Sequence, residues 1–129
     1  MRKAIILIVD DEEDALKVLE KRLTSQGYSV ISTTDGAEAV ALAKSKHPDI
    51  IILDIMMPGG MEGGQVAAEL KDHPSTKNIP VIFLTALRSK AEEKEYGLII
   101  GDNVTLAKPF DPEMLLDKIK NLLPDTAAL

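Results

Sequence analysis

The chain has 129 residues, of which 45% are hydrophobic and 3% aromatic, with no cysteine and a formal net charge of -6. This length suits one compact domain, and the hydrophobic fraction is high enough for a core, which argues against a disordered chain. Without cysteine there is no disulfide, thiolate metal site or thiol nucleophile. The acidic charge disfavours direct binding to nucleic acid. Because no apolar run approaches the roughly 20 residues that span a bilayer, we expect a soluble, cytoplasmic protein.

Five segments have the composition of β-strands. Three are apolar runs without polar alternation, which is typical of strands covered on both faces of a sheet. They are residues 4–9, 50–53 and 81–84, and two weaker strands are predicted at 28–32 and 104–106.

Helical spacing of apolar residues predicts helices between and after these strands. The predicted helices are residues 14–26, 37–46, 65–72, 90–100 and 112–123. On the first helix, the residues expected to face the core are Ala15, Val18, Leu19 and Leu23. Gly27, Asp35 and the Asp111-Pro112 pair are typical of helix ends.

Alternation of strands and helices predicts an α/β fold with a doubly wound, mostly parallel sheet and right-handed crossovers. We assign residues 1–123 to one domain and 124–129 to a C-terminal tail or the start of a linker. Ligands of such sheets bind beyond the carboxyl ends of the strands, where the strand order reverses. The residues that come directly after the strands are therefore the candidate site.

Polar side chains of three chemical types stand at the ends of the predicted strands. They are Asp10 and Asp11 after the first strand, Asp54 at the third, Thr85 at the fourth and Lys108 after the fifth. Carboxylates that meet at one edge repel one another unless they share a cation, and hard oxygen ligands select Mg²⁺. A carboxylate is also a nucleophile toward phosphorus, and metal, hydroxyl and ammonium groups can share the charge of a transferring phosphoryl group. The pattern favours Mg²⁺-dependent phosphoryl transfer to a carboxylate.

Four segments in this order resemble the receiver domain of two-component response regulators. They are Asp10-Asp11, Asp54-Ile-Met-Met-Pro58, Leu84-Thr85-Ala86 and Lys108-Pro109-Phe110. The resemblance covers essentially the whole chain, so residues 1–123 are interpreted as a receiver domain. It implies a flavodoxin-like, five-stranded parallel sheet with strand order 2-1-3-4-5. It also implies a phosphorylation-dependent signalling switch rather than an enzyme, with a sensor histidine kinase or a phosphotransfer protein as the donor.

The resemblance gives each matching residue a role. Asp54 is implied to be the phosphoacceptor. Asp11 is implied to bind Mg²⁺ directly and Asp10 mainly through water, while Asp54 and the backbone carbonyl of Met56 complete the protein ligands. These four residues form the predicted metal site.

The remaining matches surround the phosphoryl group. Thr85 is implied to hydrogen-bond a phosphoryl oxygen, and Lys108 to pair with the phosphate as a point charge. Pro109 is implied to follow a cis peptide that aims Lys108 into the site. The small side chain of Ala86 leaves access for the phosphoryl group.

Three features depart from the receiver pattern. Thr105 stands where receivers usually have an aromatic residue, and the stretch 58–62 is one residue longer than the usual loop. Residues 96–100 are unusually apolar, which makes a homodimer formed on phosphorylation an expectation for the output. The output partner is left open.

Simpler interpretations and other functions compete with this one. The acids at 10–13 also favour the positive end of a helix, an effect of about 0.3 to 1 kcal/mol per charge. The glycines at 59, 60, 63 and 64 match no phosphate-binding fingerprint and are interpreted as flexible loop residues. A pseudo-receiver would not need the full set of site residues, and a haloacid dehalogenase-type phosphatase needs an acid where Met56 stands. A flavodoxin-like electron carrier needs aromatic residues for its flavin.

Overall fold

The computed structural model describes residues 3–55, 63–85, 104–107 and 111–123. Their strands are β1 (Ile5–Val9), β2 (Ser29–Thr33), β3 (Ile50–Asp54), β4 (Val81–Thr85) and β5 (Val104–Ala107), and their helices are α1 (Glu13–Ser25), α2 (Gly36–Lys46), α3 (Gly63–Asp72) and α4 (Pro112–Leu122). The ends of these nine elements differ from the predicted ends by at most two residues. The helix predicted at 90–100 lies outside the described residues.

All five strands run parallel in one sheet with the order β2-β1-β3-β4-β5. This confirms the flavodoxin-like fold and the strand order that the resemblance implied. The strand order reverses between β1 and β3, which pair directly with Val9 opposite Leu53. That reversal places the topological switch point beside the ends of β1 and β3.

The sheet divides the core into two layers because successive side chains of a strand point to opposite faces. Ile6 and Ile8 of β1 pack on one face in a cluster with side chains of α1 and α4. Leu7 and Val9 pack on the other face with side chains of α2 and α3. The central strands are covered on both sides, which explains why their sequences are apolar without alternation.

One inward-facing residue of α1 was predicted wrongly. Val18 is 70% exposed, whereas Leu16 is buried beside the predicted Leu19 and Leu23. Val18 lies four residues before the exposed Arg22, and residues at this spacing share a stripe of the helix surface. The helix therefore presents Leu16 rather than Val18 to the sheet.

The predicted helix ends are confirmed. The side chain of Asp35 accepts a hydrogen bond from the backbone N–H of Ala37, and that of Asp111 accepts one from Glu113, each at 3.0 Å. Gly27 follows α1 with a φ of 93°, a conformation that favours glycine. Across the described ranges, no helix has both the length and the apolar character needed to cross a bilayer.

Candidate functional site

The three predicted carboxylates meet at the carboxyl edge of the sheet. Asp10 directly follows β1 and Asp54 is the last residue of the neighbouring β3. Asp10, Asp11 and Asp54 each offer a carboxylate oxygen, and these oxygens all lie within 4.8 Å of one another. Asp10 is fully buried and Asp54 is 4% exposed, whereas Asp11 is exposed. The cluster thus has two buried members and one that faces solvent.

Backbone hydrogen bonds fix Asp10 at the turn between β1 and α1. Its N–H donates to the carbonyl oxygen of Thr33 at 3.3 Å, which links the ends of β1 and β2. Its carboxylate oxygen Oδ1 accepts the N–H of Glu12 at 3.0 Å. Glu12 precedes α1 and makes no side-chain capping bond. The Asp10 carboxylate instead satisfies a backbone N–H just before the start of this helix. These bonds hold the Asp10 carboxylate at the switch point.

Asp54 is held by its own strand and by the main chain directly after it. It pairs in register with Leu84 of β4. The next residue, Ile55, donates its N–H to the carbonyl oxygen of Leu84 at 2.9 Å and accepts the N–H of Gly63 at 3.2 Å. The main chain beyond Asp54 is thus bonded to β4 on one side and to the start of α3 on the other.

The charges of the cluster work against one another. Although Asp11 faces solvent, partial desolvation of its carboxyl, a side-chain hydrogen bond with Asp10 and the negative charge of Asp10 raise its pKa above the ordinary value of 3.8. A backbone hydrogen bond acts in the opposite direction but does not reverse the shift. The ionised site is therefore favoured by a cation that all three carboxylates can share.

The donor set fits Mg²⁺. It consists of three carboxylates, which are hard oxygen ligands, and its exposed member leaves one side open to solvent. Mg²⁺ prefers such ligands and keeps several waters when it is bound by a few carboxylates. The cluster therefore offers a set of ligands suited to Mg²⁺.

The other predicted site residues are placed only in part. Thr85 is the last residue of β4 and pairs with Ala107, one position beyond the level of Asp54. Thr105 belongs to β5 and pairs with Phe83. Four further predicted site residues lie outside the described residues: Met56, Ala86, Lys108 and Pro109. Their roles stay predictions.

Sequence reasoning misread two glycines beside the site. Gly63 and Gly64 are the first two residues of α3, so their interpretation as loop glycines was wrong. Gly63 is buried and donates to the carbonyl oxygen of Ile55, the residue after Asp54. The signal in the sequence was a glycine placed just before a predicted helix and shortly after the predicted phosphoacceptor. The other two glycines, Gly59 and Gly60, lie outside the described residues.

The fold and the acidic cluster together define a class of protein. It is a flavodoxin-like α/β protein whose polar site lies beyond the strand ends at the topological switch point. The family model described as the response regulator receiver domain matches residues 6–120. The chain belongs to this family, whose members are typically phosphoryl-accepting signalling domains.

Relatives and solved structures agree with this assignment. The chain is 44% identical over 119 residues to the response regulator PleD of Caulobacter vibrioides, an alignment that covers 92% of this chain and 26% of PleD. The chain thus spans about a quarter of the length of that relative. The chemotaxis protein CheY4 of Vibrio cholerae has a TM-score of 0.83 and 34% identity, covering 95% of this chain and all of CheY4.

A third similar protein was solved with a metal. It is the receiver domain of the sensor histidine kinase PA1611 from Pseudomonas aeruginosa, with a magnesium ion coordinated in its active-site cleft. Its TM-score is 0.84 and its identity 30%, and the match covers 94% of this chain and 98% of that domain.

Proposed function

We propose that Asp54 accepts the phosphoryl group in this signalling domain, in a reaction that requires Mg²⁺ held by the acidic cluster. The observation that supports the proposal best is the meeting of Asp54 with Asp10 and Asp11 at the switch point of the sheet. Asp54 is buried at the end of a central strand, and the main chain of the next residue, Ile55, is bonded to β4 on one side and to the start of α3 on the other. A nucleophile fixed in this way loses little freedom when it attacks.

The transfer step balances as a substitution at phosphorus. A carboxylate oxygen of Asp54 donates an electron pair to form a new O–P bond, while the bond from phosphorus to the donor breaks. The leaving group keeps the electron pair of the broken bond, as a histidine imidazole of a donor protein or as acetate from acetyl phosphate. The cation, when bound, neutralises charge between the carboxylates and the phosphoryl oxygens.

The remaining roles rest on the family and on the positions of the residues. Asp11 and Asp10 would hold the cation, the latter mainly through water, and the carbonyl of Met56 would add a ligand. Thr85 ends β4 next to the level of Asp54, where a hydroxyl can donate to a phosphoryl oxygen.

Lys108 pairs with the phosphate, Pro109 orients that lysine, and Ala86 leaves space for the phosphoryl group. Thr105 replaces the usual aromatic switch residue, so the output runs through another part of the domain.

The partner that supplies the phosphoryl group is a sensor histidine kinase or a phosphotransfer protein. We place the signalling reaction in the cytoplasm.

Residues 1–123 form the receiver domain, and residues 124–129 are a tail or the beginning of a linker. Phosphorylation leads to a homodimer or to binding of an output partner, and the domain is a switch rather than an enzyme with a separate substrate.

Mass spectrometry of the intact protein tests the proposal. Acetyl phosphate with Mg²⁺ should add about 80 Da, the mass of one phosphoryl group, to the wild type and nothing after EDTA treatment. Asp54→Asn should stay unlabelled. Asp49→Asn is the matched control, because it makes the same exchange at the opposite edge of the sheet, and it should label normally. Undiminished labelling of Asp54→Asn would rule out Asp54 as the acceptor.

A further inference from the structure

Helix α3 begins directly on the main chain that carries Asp54. Gly63 is buried, and its N–H donates to the carbonyl oxygen of Ile55 at 3.2 Å. A methyl group on its Cα would overlap the carbonyl oxygen of Asp54, and would lie 2.7 Å from the Cα of Ile55 and 3.0 Å from the carbonyl carbon of Asp54. All three atoms belong to the main chain. Such a contact can be relieved only if the strand end or the helix moves.

The strand end has little freedom to move alone. The N–H of Ile55 is bonded to the carbonyl oxygen of Leu84 in β4, and the side chain of Ile55 is fully buried in the core layer shared with α2 and α3. Asp54 at the end of β3 and Ile55 after it are thus enclosed between a neighbouring strand and the first residue of a helix. Close-packed surroundings transmit a displacement instead of absorbing it.

We propose that Gly63 is a positioning residue for the reaction of Asp54, an inference that rests on the proposed function. Its missing side chain lets α3 begin on the carbonyl group of Asp54 and hold the main chain of the nucleophile in place. An added methyl group displaces that main chain and moves the carboxylate out of line with the phosphoryl donor. Small misplacements of a reacting group lower the rate of the chemical step strongly.

Helix propensity does not explain this glycine. Alanine is the better helix former, so replacing a glycine in a helix is favourable when space allows. The close approach to the end of β3 is the feature that requires glycine at position 63. The next residue, Gly64, is half-buried in the same helical turn and provides a matched substitution.

The test measures phosphorylation by acetyl phosphate in the wild type, Gly63→Ala, Gly64→Ala and Leu70→Ala. Leu70 is buried in α3, about 10 Å further along the helix axis, and its truncation lowers stability away from the start of the helix. Rates are measured over a range of acetyl phosphate concentrations and expressed per folded molecule. If Gly63→Ala unfolds, all four proteins are measured in trimethylamine N-oxide, which favours the folded state.

We expect Gly63→Ala to lower the maximal rate at least about tenfold, which corresponds to about 1.4 kcal/mol of barrier. The half-saturating concentration of acetyl phosphate should stay within about twofold of the wild type, since the loss lies in the chemical step. Gly64→Ala and Leu70→Ala should keep nearly the full maximal rate per folded molecule. If Gly63 had a purely structural role, Gly63→Ala would lower stability but would keep the maximal rate per folded molecule, as the other two variants do.

Two results would overturn the inference: a wild-type maximal rate in Gly63→Ala, or an equal loss of rate in Leu70→Ala. Either is distinct from failure of the proposed function, in which the wild type itself takes up no phosphoryl group. In that last case the positioning role is refuted together with the function it serves.

Discussion

The two edges of the parallel sheet use polar residues in opposite ways. At the amino edge, the carboxylate oxygen Oδ2 of Asp49 accepts the N–H of Ile5 at 2.7 Å, and the N–H of Asp49 donates to the carbonyl oxygen of Ile5 at 2.8 Å. One acid there joins the start of β1 to the residue before β3. At the carboxyl edge, three acids converge on one another instead.

At the end of α3, near the amino edge of the sheet, a polar side chain also bonds to the main chain. The carbonyl of Leu70 would normally accept the N–H four residues later, but residue 74 is a proline and has none. The hydroxyl of the buried Thr76 donates to this carbonyl at 2.6 Å in its place. A polar side chain thus completes the hydrogen bonding that the backbone cannot.

Within one sheet, the polar groups of the amino edge contribute to stability, whereas those of the carboxyl edge form the candidate site. Polar groups at the amino edge find complementary partners in the chain itself, which is how buried polar groups stabilise a fold. The cluster at the carboxyl edge also has partners in the chain, such as the N–H of Glu12 that Asp10 accepts, but it gathers like charges, which costs folding energy and is offset when a cation binds. The two edges should therefore respond differently to metal, to substitution and to pH.

The largest expected difference is the response to Mg²⁺. At a free concentration one hundredfold above its dissociation constant, Mg²⁺ should stabilise the wild type by about 2.7 kcal/mol through mass action. Asp11→Asn should lose most of this gain, whereas Asp49→Asn should keep it. Urea denaturation with Mg²⁺ or with EDTA measures the effect. Equal stabilisation of Asp11→Asn and the wild type would remove Asp11 from the metal site.

A smaller effect is expected from Thr76 at the amino edge. Thr76→Val removes the hydroxyl but keeps the branched shape, and it leaves the carbonyl of Leu70 without this donor, which should cost about 1 to 2 kcal/mol. Thr76→Ser keeps the hydroxyl and should recover most of that loss. Because the site lies at the other edge, both variants should bind Mg²⁺ as the wild type does. Thermal denaturation of the three proteins would show the order, and equal stability would argue against the hydroxyl bond.

The central strands could be predicted from the sequence, because strands buried on both faces appear as apolar runs without polar alternation. The apolar runs of β1 and β3 are typical of strands covered on both faces, and Asp10 and Asp54 follow Val9 and Leu53, which pair in register. The convergence of the acids is then a consequence of parallel strands. The family resemblance supplied the strand order, which periodicity alone does not determine.

Contacts between elements were harder to foresee. Val18 was misplaced because an apolar residue on a helix does not by itself reveal which stripe faces the sheet. The role of Gly63 depends on the distance between α3 and the end of β3, and no local pattern encodes that distance. Composition alone assigns such a glycine to a loop.

The smallest expected effect is on the pH dependence of stability, to which each edge of the sheet contributes one titratable group. The folded state raises the pKa of Asp11 through burial and its contacts with Asp10, and burial raises the pKa of Tyr28 above 10.0. In each case the folded protein keeps the proton to a higher pH than the unfolded chain does. Without metal, the contribution of Asp11 to stability should therefore fall as the pH rises above about 4, and the contribution of Tyr28 should fall above about pH 10.

Substitution and metal should separate these two declines. Asp11→Asn should remove only the acidic one and Tyr28→Phe only the alkaline one. Mg²⁺ should reverse the acidic decline, because binding favours the ionised carboxylate. Urea midpoints measured with EDTA from pH 3 to pH 11, and with Mg²⁺ across the acidic to neutral range where its hydroxide does not precipitate, give both comparisons. If stability in EDTA rose through the acidic range more steeply in the wild type than in Asp11→Asn, the Asp11 carboxylate would be stabilised rather than repelled, and the contrast between the edges would not hold for this group.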